Sequence, residues 1–181
     1  MNTKKLTITA LLTALAIVIP MIMPIKVVLP PFSATLAAHT PLIIAMFISP
    51  LAAVITSLGS GLGFLVTLGP VVAARAAMHV IFALVGALMI RKRMNFFLTV
   101  LVTLVLHTLS DMGIVWVIAT LFGMNNILSE QAMGTVQWII GIGTSIHHIV
   151  DYAVAMVIVM PLSKAFADMF SHTIKGKDLH I

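Results

Sequence analysis

Six ionisable residues fall in pairs four positions apart inside long apolar runs: Arg75 with His79, His107 with Asp111, and His147 with Asp151, with His148 beside the last pair. Four residues make about one helical turn, so each pair lies on one face of its helix. Ionisable groups inside a membrane segment are costly enough to mark function by default. Two kinds of chemistry fit them. They could form a polar path or cage for a charged ligand, or they could be His-Asp and Arg-Asp bridges that hold helices together in lipid. Arg75 stands apart, because the rigid fork of a guanidinium matches a carboxylate or phosphate. Histidine and aspartate at this spacing can also clamp a divalent cation.

Such pairs need helices to carry them. Apolar runs of about 20 residues span a bilayer, and here they read Leu6 to Met23, Leu42 to Leu68, Val71 to Ile90, Phe96 to Phe122 and Val136 to Leu162. Pro50 divides the second, since an internal proline removes a hydrogen bond and clashes with the preceding turn. The expected fold is therefore all-α, one transmembrane domain over residues 1–181. Its six helices run over about 6–23, 33–49, 51–68, 71–90, 96–122 and 135–162, followed by a cytoplasmic tail over 163–181. Leu6 to Met23 is longer than a secretory apolar core and has no A-x-A site after it, so it reads as a span.

Charge favours six spans over five, because cytoplasmic loops hold excess Lys and Arg. Both termini then lie inside with Lys4, Lys5, Arg91, Lys92, Arg93, Lys164, Lys175 and Lys177, and Lys26 lies outside.

Depth follows from counting. His79 stands nine positions after Pro70, His107 eleven after Phe96 and His147 twelve after Thr135, which sets all three near mid-membrane. Arg75 and Asp111 fall one turn to the outer side, where they can pair. Asp151 falls to the inner side, with His147, His148 or the backbone as partner. Trp116, Trp138, Gln137, Asn125, Asn126, Phe32, Thr35 and His39 lie near the outer level. Tryptophans there read as an interfacial belt or as the walls of an amphipathic pocket. The long segment Ile25 to Thr40 reads as a cover over that pocket or as a plain connector.

Composition excludes much else. The chain has 181 residues, 61% hydrophobic and 8% charged, against about 25% charged in soluble domains. It has no cysteine, so disulfides, thiolate metal sites and cysteine catalysis are excluded. Its net charge of +5 sits at segment ends and forms no basic stripe with interleaved aromatics, which argues against nucleic acid. No H-E-x-x-H, G-x-S-x-G or G-x-x-x-x-G-K-[ST] occurs, so no enzyme and no ATP site is expected. The glycines of Gly59-Ser60-Gly61-Leu62-Gly63 lack the lysine of a phosphate loop and suit close helix packing instead. Energy must then come from a partner or an ion gradient.

Six helices in about 180 residues, both ends inside and a long first external loop resemble the S components of energy-coupling factor (ECF) vitamin transporters. That family carries an A-x-x-x-A pattern in its first helix for docking on the coupling subunit, and Ala10-Leu11-Leu12-Thr13-Ala14 matches it. Ala38-His39-Thr40-Pro41 through Phe47-Ile48-Ser49-Pro50, with Arg75-Ala76-Ala77-Met78-His79-Val80-Ile81-Phe82-Ala83, looks like the branch for small vitamins such as niacin or pantothenate.

The resemblance implies a bacterial plasma-membrane subunit that captures vitamin near its outer face. It also implies a coupling subunit and two ATPase subunits as partners, with ATP used by those partners and no cofactor or metal in this chain. The substrate-binding set is then Arg75, His79, Trp116, Trp138, Gln137, His39 and Asn125. A single outer arginine suits either carboxylate vitamin, and the available tryptophans favour the pyridine ring of niacin. Two alternatives stand beside this reading. Nickel or cobalt S components place histidine directly after the initiator methionine, where this chain has Asn2. A proton-coupled carrier using Asp111 and Asp151 would ordinarily show paired repeats, and none is found.

Overall fold

The computed structural model describes residues 2–123 and 129–165. In chain order its elements are α1 (Thr3–Ile22), β1 (Lys26–Leu29), β2 (Phe32–Thr35), α2 (Thr40–Ile48), α3 (Pro50–Leu68), α4 (Pro70–Arg91), α5 (Phe96–Leu121) and α6 (Glu130–Ala165). The architecture is a helical bundle with one short β-hairpin. Five of these helices are long and apolar enough to cross a membrane.

Helix starts are written in the sequence. The side chains of Asn2, Ser49 and Asn95 each accept a hydrogen bond from the backbone N–H three residues on, which satisfies one of the free donors of a first helical turn. Pro50 and Pro70 open α3 and α4 at positions where a missing N–H costs nothing. Gly69, at φ 82°, makes the tight link between those two helices in the left-handed region that glycine tolerates.

The largest departure from expectation is the second span. A helix over 33–49 is predicted from apolarity, but residues 32–35 form strand β2, a turn follows, and the helix covers only Thr40–Ile48. Nine residues rise about 14 Å at 1.5 Å each, less than half of a ~30 Å hydrocarbon layer. All nine are buried, because α2 is enclosed by α1, α3, α4 and α6. Its apolarity therefore reflects burial in protein on every side. The expected division at Ser49-Pro50 holds, since Ser49 ends α2 and caps α3. The last helix begins at Glu130, earlier than the expected 135.

In the hairpin, Lys26 pairs with Thr35 and Leu29 with Phe32, so Pro30 and Pro31 form the turn. β1 is exposed along its length, whereas Phe32, Ser33 and Thr35 of β2 are buried. Phe32 packs with Val115 of α5 and Ile140 of α6, and a Cβ added to Gly143 would meet its ring at 2.5 Å. The hairpin thus plugs one end of the bundle. At the other end, Lys5, Ser49, Pro50 and Arg91 line a shared cavity, so the starts of α1 and α3 lie beside the end of α4.

Candidate functional site

Four parts of the chain converge beneath the hairpin. α4 supplies Arg75 and His79, α5 supplies His107 and Asp111, and α6 supplies Thr144, His147, His148 and Asp151. The segment between β2 and α2 supplies His39. Arg75, His79, His107, Asp111, His148, Asp151 and His39 are all buried. On α5 the buried positions are Thr99, Thr103, His107, Asp111, Val115 and Ala119, a strict repeat of four that turns one polar stripe inward.

Arg75 is used on every side. Its Nε and Nη2 donate to Asp111 Oδ2 at 3.2 and 2.6 Å, and Nη1 donates to the Pro31 carbonyl at 2.9 Å. Thr144 completes the group, donating to Asp111 Oδ2 at 3.1 Å while lying 3.4 Å from Arg75 Nη2. The Phe32 ring lies 5.5 Å from the guanidinium carbon, within cation–π range. The turn of the hairpin is therefore fastened to a buried ion pair.

Asp151 fastens the other end of the same loop. Its Oδ1 accepts the Ala37 N–H and its Oδ2 the His39 N–H, both at 2.8 Å. His39 Nδ1 also lies 3.0 Å from Oδ2, close but poorly aligned for a straight hydrogen bond. Ala37, at φ 64°, is held in the left-handed region by this grip.

These anchors drop the His39 ring among the other imidazoles. Its centroid lies 4.5 Å from His79, 4.7 Å from His107 and 4.5 Å from His147, and His79 and His107 are 4.7 Å apart. His79 and His107 share a layer as counted from the helix ends, but His39, expected near the outer level, sits in the middle of the cluster. Two ligand sets result. One nitrogen each of His39, His79 and His107 lie within 4.8 Å of one another, as do ligand atoms of His39, His147 and Asp151. The space enclosed by Arg75, Asp111 and the rings is about 20 Å³, room for roughly one water-sized group.

The expected set is thus brought together only in part. Arg75, His79, His39, His147, His107 and Asp111 line the same cavity, with Ser33 and Phe64. Trp116 and Trp138 do not, being 55% and 71% exposed on the outside of the bundle. They point outward because they fall off the inward-facing stripes of α5 and α6, which disposes of the expected aromatic wall. Gln137 is half-buried and lies outside the cavity lining, and Asn125 falls outside the described residues. Ala10 and Ala14 are exposed together on one face of α1.

Residues missed from sequence are the neutral ones: Thr144, Thr103, Tyr152 and the Pro31 carbonyl. Thr144 was findable, since it stands four before His148 and seven before Asp151 and so shares their face. The role of Pro31 was not, because it depends on the hairpin.

No family profile and no solved structure matches the chain. A comparison with characterised proteins finds the protein named niacin transporter NiaX from Lactococcus lactis subsp. cremoris (strain MG1363), 35% identical over 185 aligned residues that cover 97% of this chain and 81% of the relative. Identity at that level over nearly the whole length, on a membrane bundle with a buried polar centre, places the chain in a family: it belongs to the family of NiaX, S components of the energy-coupling-factor type, which are multi-pass transport proteins and not enzymes.

Proposed function

We propose that this chain captures niacin at the hairpin end of the bundle and passes it inward when docked on an ATP-driven module of other subunits. The observation that carries the reading is the 35% identity, over 97% of the chain, with a protein named as a niacin transporter. Niacin at neutral pH is a carboxylate on a pyridine ring. Arg75 supports recognition of the carboxylate, which would take the place that the Pro31 carbonyl holds on Nη1. The ring would occupy space now filled by Phe32 and the imidazoles. A cavity of about 20 Å³ is too small for the vitamin, so entry requires the hairpin to lift. At the turn of the hairpin, Arg75 can exchange the Pro31 carbonyl for another acceptor.

Orientation follows from charge. Lys5 and Arg91 at the end opposite the hairpin support placing that end on the cytoplasmic side of a plasma membrane, and Lys26 lies on β1. In this reading both termini are inside, α2 with the hairpin serves as the second crossing, and the exposed Ala10 and Ala14 face of α1 is where a coupling subunit packs. That coupling subunit and two ATPases supply the work.

Titration calorimetry of the purified protein with nicotinate tests the capture step. Arg75→Lys keeps a charge but loses the fork, and it should weaken binding about tenfold or more. Unchanged affinity would remove Arg75 from the site. Ala10→Leu should leave nicotinate binding intact while abolishing uptake in cells that hold the partner subunits. Normal uptake would remove the docking surface.

A further inference from the structure

The hydrogen-bond network below the histidines fixes where their protons lie. The Thr103 hydroxyl is 2.8 Å from the Thr99 carbonyl, which has no proton of its own, so the single hydroxyl proton is committed there. Thr103 Oγ1 must then accept from its other neighbours, His148 Nε2 at 3.2 Å and the Tyr152 hydroxyl at 3.1 Å. With Nε2 protonated, neutral His148 has a bare Nδ1. That nitrogen lies 2.9 Å from His107 Nδ1, which must carry the proton between them. The chain of assignments leaves neutral His107 with a bare Nε2 facing the cavity, 3.7 Å from Asp111 Oδ2.

His39 turns its Nδ1 toward the Asp151 carboxylate, 3.0 Å from Oδ2, which leaves Nε2 as the ring nitrogen directed away from that carboxylate. His79 adds a buried Nδ1 with no hydrogen-bond partner, and Asp111 Oδ1 is likewise unpartnered. Imidazole nitrogens and a carboxylate oxygen without hydrogen-bond partners therefore converge on one buried cavity.

We infer that His39, His79 and His107 form a binding site for a divalent transition-metal ion. Three neutral imidazoles suit zinc, cobalt or nickel. Two of the three have the supporting contact that metal-bound histidines use to fix tautomer and ring orientation, His39 from the Asp151 carboxylate and His107 from His148. Ligand nitrogens within 4.8 Å of one another need to close to about 3.3 Å for tetrahedral bonds of ~2.0 Å. An ion also fits the available space. The inference goes beyond the capture of niacin and does not rest on it, because no contact with vitamin enters the argument.

Cobalt(II) is the probe, since its visible absorption reports tetrahedral nitrogen ligation. Purified full-length protein, stripped with chelator and titrated with cobalt chloride, should bind one equivalent with tetrahedral bands. His107→Ala should abolish those bands, and Thr103→Val should weaken binding about tenfold by releasing the His148 tautomer, although Thr103 touches no metal. Absence of tetrahedral bands in the native chain, or bands unchanged in His107→Ala, would overturn the site. Should His107→Ala fail to fold, Thr103→Val and His79→Gln decide it, with unchanged affinity in both counting against. Nicotinate titrated into the same chelator-stripped protein separates the two claims. Vitamin binding without cobalt binding defeats only the metal site, and the reverse defeats only the capture of niacin.

Discussion

The seam joining α1, α3 and α4 and the seam joining α4, α5 and α6 hold helices together with opposite materials. In the first, small residues let backbones touch. A Cβ on Gly63 would run into the Ile17 carbonyl, one on Gly59 would lie 2.6 Å from Thr13 Cγ2, and Gly61 rests against Ala73 and Ala77 of α4. In the second, α5 turns Thr99, Thr103, His107 and Asp111 inward to meet Arg75, Thr144 and His148. Lipid tails are as apolar as leucine, so packing and polar contacts must do what the hydrophobic effect does in water. At these glycines the close seam leaves no room for a side chain. Unpartnered buried atoms occur in both, on Ser60 of α3 and on His79 and Asp111 of the polar seam, but those of the polar seam are ionisable and line a common cavity. The proposed binding site lies in the second seam, where Arg75 and the imidazoles surround the cavity.

Asp111→Ala should break this contrast most severely. It leaves Arg75 buried with only the Pro31 carbonyl and the Thr144 hydroxyl near its nitrogens. Removing one partner of a buried pair costs about 3–5 kcal/mol, so thermal unfolding in detergent should shift down sharply. Replacing both partners, Arg75→Met with Asp111→Leu, should recover much of the stability, because well-packed apolar pairs often match buried ion pairs. The double variant should not bind nicotinate. If it does, the polar seam is glue alone and differs from the glycine seam only in chemistry.

Gly63→Ala probes the other side. The new methyl meets backbone of α1, which has no rotamer to change, so overpacking should cost about 1–3 kcal/mol. Gly134→Ala is its control, as nothing lies within 4 Å of that position. Nicotinate affinity of the folded Gly63→Ala protein should equal the native value. A large loss of affinity with unchanged stability would mean that the close seam shapes the site after all.

How much of this was legible in the sequence follows the same division. Spacing of four placed Arg75 with His79, His107 with Asp111 and His147 with Asp151 on single faces, because helical geometry is local and periodic. Counting from helix ends then placed Arg75 beside Asp111, as the 2.6 Å contact bears out. The glycines read as packing residues for an equally local reason. The hairpin was not legible. Residues 33–49 are apolar enough for a helix, and the choice of strand from Phe32 is made by pairing with β1 and by burial of the Phe32 ring between α5 and α6. His39 was misplaced with it, since only the grip of Asp151 on Ala37 and His39, more than a hundred residues away in sequence, brings that ring inward. Trp116 and Trp138 were misread because amphipathic rings suit both a pocket wall and an outer surface, and residue type alone does not choose.

The gentlest change sharpens the comparison within the polar seam itself. Thr108 on α5 and Ser145 on α6 are 3.0 Å apart, near the histidines but off the inward stripe. Ser145 donates its proton to the Gly141 carbonyl at 2.8 Å, so Thr108 is the donor between them. Thr108→Val removes that one bond and leaves Ser145 still donating, so no polar hydrogen is stranded. Polar contacts between membrane helices average about 0.6 kcal/mol, and the unfolding temperature should fall only slightly, with nicotinate affinity unchanged. Thr103→Val, about one and a half turns away along α5, removes the Oγ1 that both His148 Nε2 and the Tyr152 hydroxyl contact, leaving the Tyr152 hydroxyl the Met46 sulfur at 3.9 Å, and should cost several times more. Equal effects of the two valines would mean that polar contacts in this seam are interchangeable, and that the order read into the histidine network carries no weight.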